Sequence, residues 1–218
     1  MFLSRVEIDV NNKEKMKDLR HLGCYHAWVE DSFPEEREKA KELRTRKLWR
    51  VDRIGDKYYL LLSSETEPDL KSLEKYGVEG SASTKNYNKL IDSIHVGTKA
   101  RFKIKLNAVK AIVEPTKDGL INRIVPVPQN ELYSFFIDRT EKNGFKIKDG
   151  EYSIVSRSSD PLIKENPKND ISKIFVVGAT YEGLLEVTDV DKFIHSLTKG
   201  VGRKKAYGYG MLTISPIN

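Results

Sequence analysis

Four histidines, at positions 21, 26, 95 and 195, are the side chains of this chain that titrate near neutral pH and so move protons without a metal. His26 sits between Tyr25 and Trp28, seven residues ahead of the pair Phe33-Pro34. An imidazole there suits acid–base chemistry, and it equally suits a histidine packed against Trp28; the residues alone leave both readings open. His21, five residues earlier, is more than a quarter turn away on an ideal helix, so the two do not form a pair on one face, and His21 reads as solvated. His95 falls at a domain junction and His195 on the polar flank of a late helix. Cys24, the one cysteine, excludes an internal disulfide and a zinc site of the CxxC kind. No metal site and no cofactor is suggested.

The second chemical feature is "KGVGRKKAYGYGML", Lys199 to Leu212, with Gly200, Gly202, Gly208 and Gly210 around Arg203, Lys204 and Lys205. It joins a predicted helix to a predicted strand. Both nucleotide-binding glycine motifs run from strand to helix and hold phosphate at the helix N-terminus, so neither applies. What remains is a backbone free to take positive φ and to approach a phosphate chain closely, with three cations beside it.

The surrounding charge agrees with a polyanionic partner: 38 Lys and Arg face 32 Asp and Glu, for a net charge of +6 over 218 residues. In "ARFKIKL", alternation puts Arg101, Lys103 and Lys105 on one face of a strand and Phe102, Ile104 and Leu106 on the other. Arg5, Glu7 and Asp9 interrupt the only stretch placed to be a signal core, which makes the expected location cytoplasmic, with no membrane partner.

These features need elements to position them. Phe2, Ser4, Val6 and Ile8 alternate as a strand; a helix capped by Asn12 carries Met16, Leu19 and Leu22, and Gly23 is expected to break or kink it. Lys47–Ser64 reads as a hairpin around Gly55-Asp56, followed by a helix ending at Gly77 and a weak strand near Ser81–Tyr87. That order is a ferredoxin-like β-α-β-β-α-β unit, and it repeats. "KARFKIKLNA", "EYSIVSRS", "KIFVVGATYEGLLEVTD" and "YGMLTISP" supply strands, while "QNELYSFFIDRTEKNG" and "DVDKFIHSLTKG" supply helices. The expected class is α+β, with two tandem ferredoxin-like domains at 1–94 and 95–218.

"GVGRKKAYGYGMLTI", preceded by "YEGLLEVTD", resembles the C-terminal glycine-rich region of the CRISPR-associated RNA endonucleases of the CasE subfamily. "MFLSRVEID", "LWRVD" and "RFKIKLNAVK" extend the resemblance to most of the chain. It implies two ferredoxin-like domains, metal-independent cleavage of CRISPR repeat RNA to a 2′,3′-cyclic phosphate and a 5′-OH, and membership of the surveillance complex called Cascade. By its distance from Phe33-Pro34, His26 matches the subfamily's catalytic histidine. Some members carry a tyrosine three residues before that histidine; Gly23 stands there in this chain, and Tyr25 is the candidate second catalytic residue. Lys205 matches a recurring loop lysine.

RNA contact is expected on the cationic face of Arg101, Lys103 and Lys105 and at the glycine loop; prolines and polar residues make Ser153–Lys173 a protruding hairpin armed with Arg157, Lys164 and Lys168, which the resemblance sets beside a repeat stem-loop. A non-catalytic RNA-binding subunit of a ribonucleoprotein is the competing reading, which His26 discriminates. An unrelated enzyme acting on a small phosphate ester is disfavoured by the lack of a strand-to-helix phosphate motif.

Overall fold

The computed structural model describes residues 1–117, 119–165 and 171–217. Its first half runs β1 (Phe2–Glu7), α1 (Lys13–Asp18), α2 (Leu22–Asp31), α3 (Pro34–Arg37), β2 (Leu48–Ile54), β3 (Lys57–Ser64), α4 (Leu70–Leu73) and β4 (Ser83–Asn86). The strands form one antiparallel sheet in the order β2-β3-β1-β4, with Val6 opposite Leu60 and Ser4 opposite Leu62. Period-two alternation buries Ser4, Val6 and Ile8 under the helices. This is the ferredoxin-like order, with the first and third strands central.

After α5 (Asn88–Asp92), the second half runs β5 (Lys99–Leu106), β6 (Val109–Thr116), β7 (Gly119–Pro126), α6 (Leu132–Thr140), β8 (Phe145–Lys146), β9 (Tyr152–Glu165), β10 (Ile171–Val187), α7 (Val190–Lys199) and β11 (Leu212–Pro216). Its sheet is ordered β11-β5-β10-β8, and β9 pairs with β10 beyond β8, so β8 and β9 share the position of the second strand of the unit. The tandem ferredoxin-like organisation is therefore present. The hairpin β6–β7, which forms its own two-stranded sheet, is an addition that the strand pattern of the sequence does not announce. Of the expected protrusion over Ser153–Lys173, residues 153–165 belong to β9 and 171–173 to β10, which pair with one another, and 166–170 lie outside the described residues.

The predicted break at Gly23 is displaced. The first helix ends at Leu19, whose φ of −93° and ψ of 43° are not helical, and α2 starts afresh with His21 as its N-cap. The His21 Nδ1 accepts a hydrogen bond from the Gly23 backbone N–H at 3.1 Å, so His21 is a cap and not a merely solvated side chain. A Cβ at Gly23 would lie 2.8 Å from that imidazole. The glycine makes room for the cap and does not break the helix.

The two halves pack against each other. Leu162, Val176 and Tyr209 are buried in the same cluster as Trp28, Trp49, Leu60 and Leu62. The Arg50 guanidinium, paired with Asp52 at 2.8 Å, also donates to the carbonyls of Lys103 (3.0 Å) and Met211 (2.9 Å) and to Thr213 Oγ1 (2.9 Å). A buried guanidinium with every direction occupied by an acceptor fixes the first hairpin on the second sheet. Among the described residues no helix is long and apolar enough to cross a membrane.

Candidate active site

His26 lies in the middle of α2 and lines an open groove of about 700 Å³ with Glu30, Arg44, Thr45, Arg46, Glu65 and Lys199. Its Nδ1 is 4.0 Å from Glu30 Oε1, one helical turn on. Glu30 Oε2 is in turn 3.5 Å from the ammonium of Lys47, which is buried and bonded to Glu36 at 2.9 Å. Burial alone would raise the Glu36 carboxyl, but hydrogen bonds from Thr66, Lys47 and Thr45 outweigh it and hold the group at about 2. The pair is thus ionised and fully bonded, as a buried ion pair must be to persist.

Burial pushes the His26 imidazole below its usual value; Glu30 opposes that shift and Lys47 adds to it. The balance favours the neutral ring, the form able to accept a proton. The edge of the ring meets Tyr207, with centroids 5.6 Å apart. Tyr207 belongs to a 3₁₀ turn, Lys205–Tyr207, that packs against α2 and β2, so the glycine loop does reach the histidine.

Tyr25 is placed differently. Its ring stacks on Trp49 at 5.6 Å and tilts against Trp28, and burial, Cys24 and Asp160 all raise its hydroxyl. It does not line the His26 groove, because adjacent residues of a continuous helix diverge by about 100°. Tyr25 packs against Trp28 and Trp49 and is absent from the lining of the groove that His26 faces.

The glycines of the loop also differ from expectation. Gly200, Gly202, Gly208 and Gly210 have φ of 75°, 79°, 82° and 82°. A Cβ at Gly208 would lie 2.6 Å from the Trp49 ring, one at Gly200 would lie 2.7 Å from Leu48 Cδ2, and one at Gly210 would lie 2.3 Å from the Val201 carbonyl. Three of the four admit the protein's own chain at close range; Gly202 alone is open enough for a ligand. Trp49 Nε1 donates to the Ala206 carbonyl at 3.0 Å and seals the contact. Arg203 is exposed, and Lys204 takes a φ of 61°. The Lys205 ammonium donates to the Gly200 carbonyl at 3.3 Å, and burial, with the charge of Arg46, lowers it.

The cationic face of β5 is largely neutralised. Lys103 pairs with Glu182 at 2.8 Å and Asp52 at 3.6 Å, and Lys105 pairs with Asp160 at 2.8 Å, where Tyr209 also donates. Acids from neighbouring strands, invisible in the β5 segment alone, supply the countercharge. Arg101 remains exposed. Arg157 is exposed on β9 and donates to Gln129 Oε1 at 2.9 Å. Of Lys164 only the backbone is described, and Lys168 lies outside the described residues.

Residues that sequence reasoning missed are Glu30, Lys47, Glu36, Arg44, Arg46 and Lys199. The run Arg44-Thr45-Arg46-Lys47, just ahead of the hairpin, was the available signal. Among the described residues there is no group of three His, Cys, Asp or Glu side chains placed to hold a metal ion.

A family model described as "CRISPR associated protein" matches residues 1–216. The chain is 26% identical, over 99% of its length and 100% of the relative's, to the CRISPR-associated endoribonuclease Cse3 of Thermus thermophilus. Among solved structures it superimposes on Cse3 bound to a 19-nucleotide RNA with a TM-score of 0.74, 23% identity and 99% coverage of both chains. A chain of a CRISPR RNA-guided surveillance complex matches with a TM-score of 0.64 and 19% identity, each chain covered completely.

Proposed function

The chain belongs to the CRISPR-associated protein family, and we propose that it is an endoribonuclease that cuts CRISPR repeat RNA without a metal, with His26 as the base. The observation that carries this reading is an imidazole lining a groove with three cations and two carboxylates. His26 Nδ1 faces Glu30, which leaves Nε2 to take the proton of the ribose 2′-OH. The 2′-oxygen then bonds to the adjacent phosphorus, and the P–O5′ bond breaks with its electron pair on O5′. Lys205, on the turn that packs against α2 beside His26, protonates that oxygen. The products are a 2′,3′-cyclic phosphate and a 5′-OH, and both side chains re-equilibrate with solvent.

Arg203 and the exposed Arg101 and Arg157 are assigned to the RNA backbone, where cations supply most of the salt-sensitive affinity. We further propose that it assembles with other subunits around the processed RNA, as the surveillance-complex chain of the same fold does, and that it works in the cytoplasm. The test is to incubate the protein in EDTA with the repeat RNA of its own genome, alongside the same RNA carrying one 2′-deoxy sugar at the scissile position. Cleavage of the first and survival of the second is the expected result; a metal requirement, or cutting of the deoxy RNA, would overturn the mechanism.

A further inference from the structure

The cations around the His26 groove are not equivalent. Lys199 is ion-paired with Glu65. Arg44 directs Nε to the Lys39 carbonyl at 3.2 Å and a terminal nitrogen to the Arg37 carbonyl at 2.9 Å. Lys47, behind the wall, is held by Glu36 and Glu30. Arg46 lines the same groove, is exposed, and has no carboxylate or hydrogen-bond partner among the described residues. Arg44 and Arg46 both carry charge that no carboxylate of the groove pairs with, and of the two it is Arg46 whose guanidinium donors are uncommitted among the described residues.

The fold commits several interactions to holding that charge in place. Thr45 gives both its backbone N–H (2.9 Å) and its hydroxyl (2.7 Å) to Glu36, and Lys47 gives its ammonium to the same carboxylate. Arg46 is thus suspended between two anchored neighbours. Lys205 feels its charge from the glycine loop, so two like charges stand near each other. Such an arrangement is unfavourable when empty and favourable when an anion arrives.

We infer that Arg46 is a catalytic residue whose guanidinium binds the non-bridging oxygens of the scissile phosphate opposite His26. A planar guanidinium offers two parallel N–H donors to those oxygens, and its interaction strengthens as the phosphorus becomes five-coordinate and gains negative charge. Lys47, one residue on, cannot serve, because its ammonium is buried in the Glu30 and Glu36 pair. This inference rests on the endoribonuclease reading above and names the group that stabilises its transition state.

Single-turnover cleavage of the repeat RNA, and affinity for the 2′-deoxy analogue, should be measured for wild type, Arg46→Ala and Arg46→Lys. Arg46→Ala is expected to lower the rate by about 10²-fold or more, the usual effect of removing one donor to a developing oxyanion, while affinity changes by less than about five-fold. Arg46→Lys, with charge but no fork, should fall between the two. A wild-type rate in Arg46→Ala, or a loss of affinity as large as the loss of rate, overturns the inference while leaving the enzyme reading intact. A wild type that binds the repeat and leaves it uncut overturns both.

Discussion

Glu30 Oε1 lies 4.0 Å from His26 Nδ1, while Glu30 Oε2 lies 3.5 Å from the buried ammonium of Lys47. One carboxylate thus connects the proposed base to an ion pair anchored in the protein interior. Its charge favours the imidazolium, against burial and Lys47, which favour the neutral ring. Glu30→Gln removes the only one of these influences that raises His26. The acid limb of the pH–rate profile should therefore move to lower pH, since the neutral ring persists further down. A shift to higher pH would contradict the arrangement. Arg44, Arg46, Glu65 and Lys199 across the groove and Tyr207 beside the ring are unchanged in this variant, so the comparison isolates Glu30.

Glu36 should make stability acid-sensitive. Its folded carboxyl is held at about 2 against an ordinary value of 4.5, so its contribution is present above 4.5 and is lost as pH falls toward 2. Glu36→Gln should flatten the pH dependence of the melting temperature in that window. At neutral pH it should cost up to about 3 kcal/mol, because the buried Lys47 ammonium loses its nearer carboxylate and keeps only Glu30 at 3.5 Å. Urea unfolding at several pH values measures both effects.

Gly208 joins two constraints at one atom: a φ of 82° and the Trp49 ring 2.6 Å from where a Cβ would stand. The left-handed conformation alone costs an ordinary residue roughly 1–2 kcal/mol. Gly208→Ala should lose at least that much in urea unfolding. Gly202→Ala keeps the left-handed penalty but meets nothing closer than Leu106 Cδ2 at 3.8 Å, so it should lose measurably less. Equal losses would mean that the Trp49 contact is unimportant.

Exposed and paired cations should behave differently toward RNA. Arg203→Ala should reduce the slope of log affinity against log salt by roughly 0.7–0.9, the change that follows when one phosphate is no longer neutralised by the protein. Lys105→Ala should leave that slope nearly unchanged and lower the melting temperature, because Asp160 loses its ion pair. A large slope change in Lys105→Ala would show that RNA displaces Asp160.

Much of the framework was legible because it is written in local pattern. The alternation of β5 shows directly in the burial of Phe102, Ile104 and Leu106, and Gly55-Asp56 marks the β2–β3 turn. The boundary between α1 and α2 was misplaced because glycine is the stronger local signal, whereas the actual start is a side-chain cap from His21. The β6–β7 hairpin escaped because Pro115 and Pro126 sit within its strands, and proline in a run argues against a strand. Of the groove around His26, the titrating residue was legible and its charged neighbours were not. Glu30, Lys47 and Glu36 come from separate segments, and their ion pairs exist only after α2, α3 and the β2 approach have packed. The same holds for the acids that neutralise Lys103 and Lys105.

The most direct test of the account is a single-turnover assay of His26→Ala on the repeat RNA in EDTA, with binding measured alongside. The imidazole supplies proton transfer and little ground-state affinity, so cleavage should fall by at least about 10²-fold while the dissociation constant stays within a few-fold of wild type. The wild-type products should carry 2′,3′-cyclic phosphate and 5′-OH ends. His26→Ala cutting at the wild-type rate would contradict the assignment of His26 as the base.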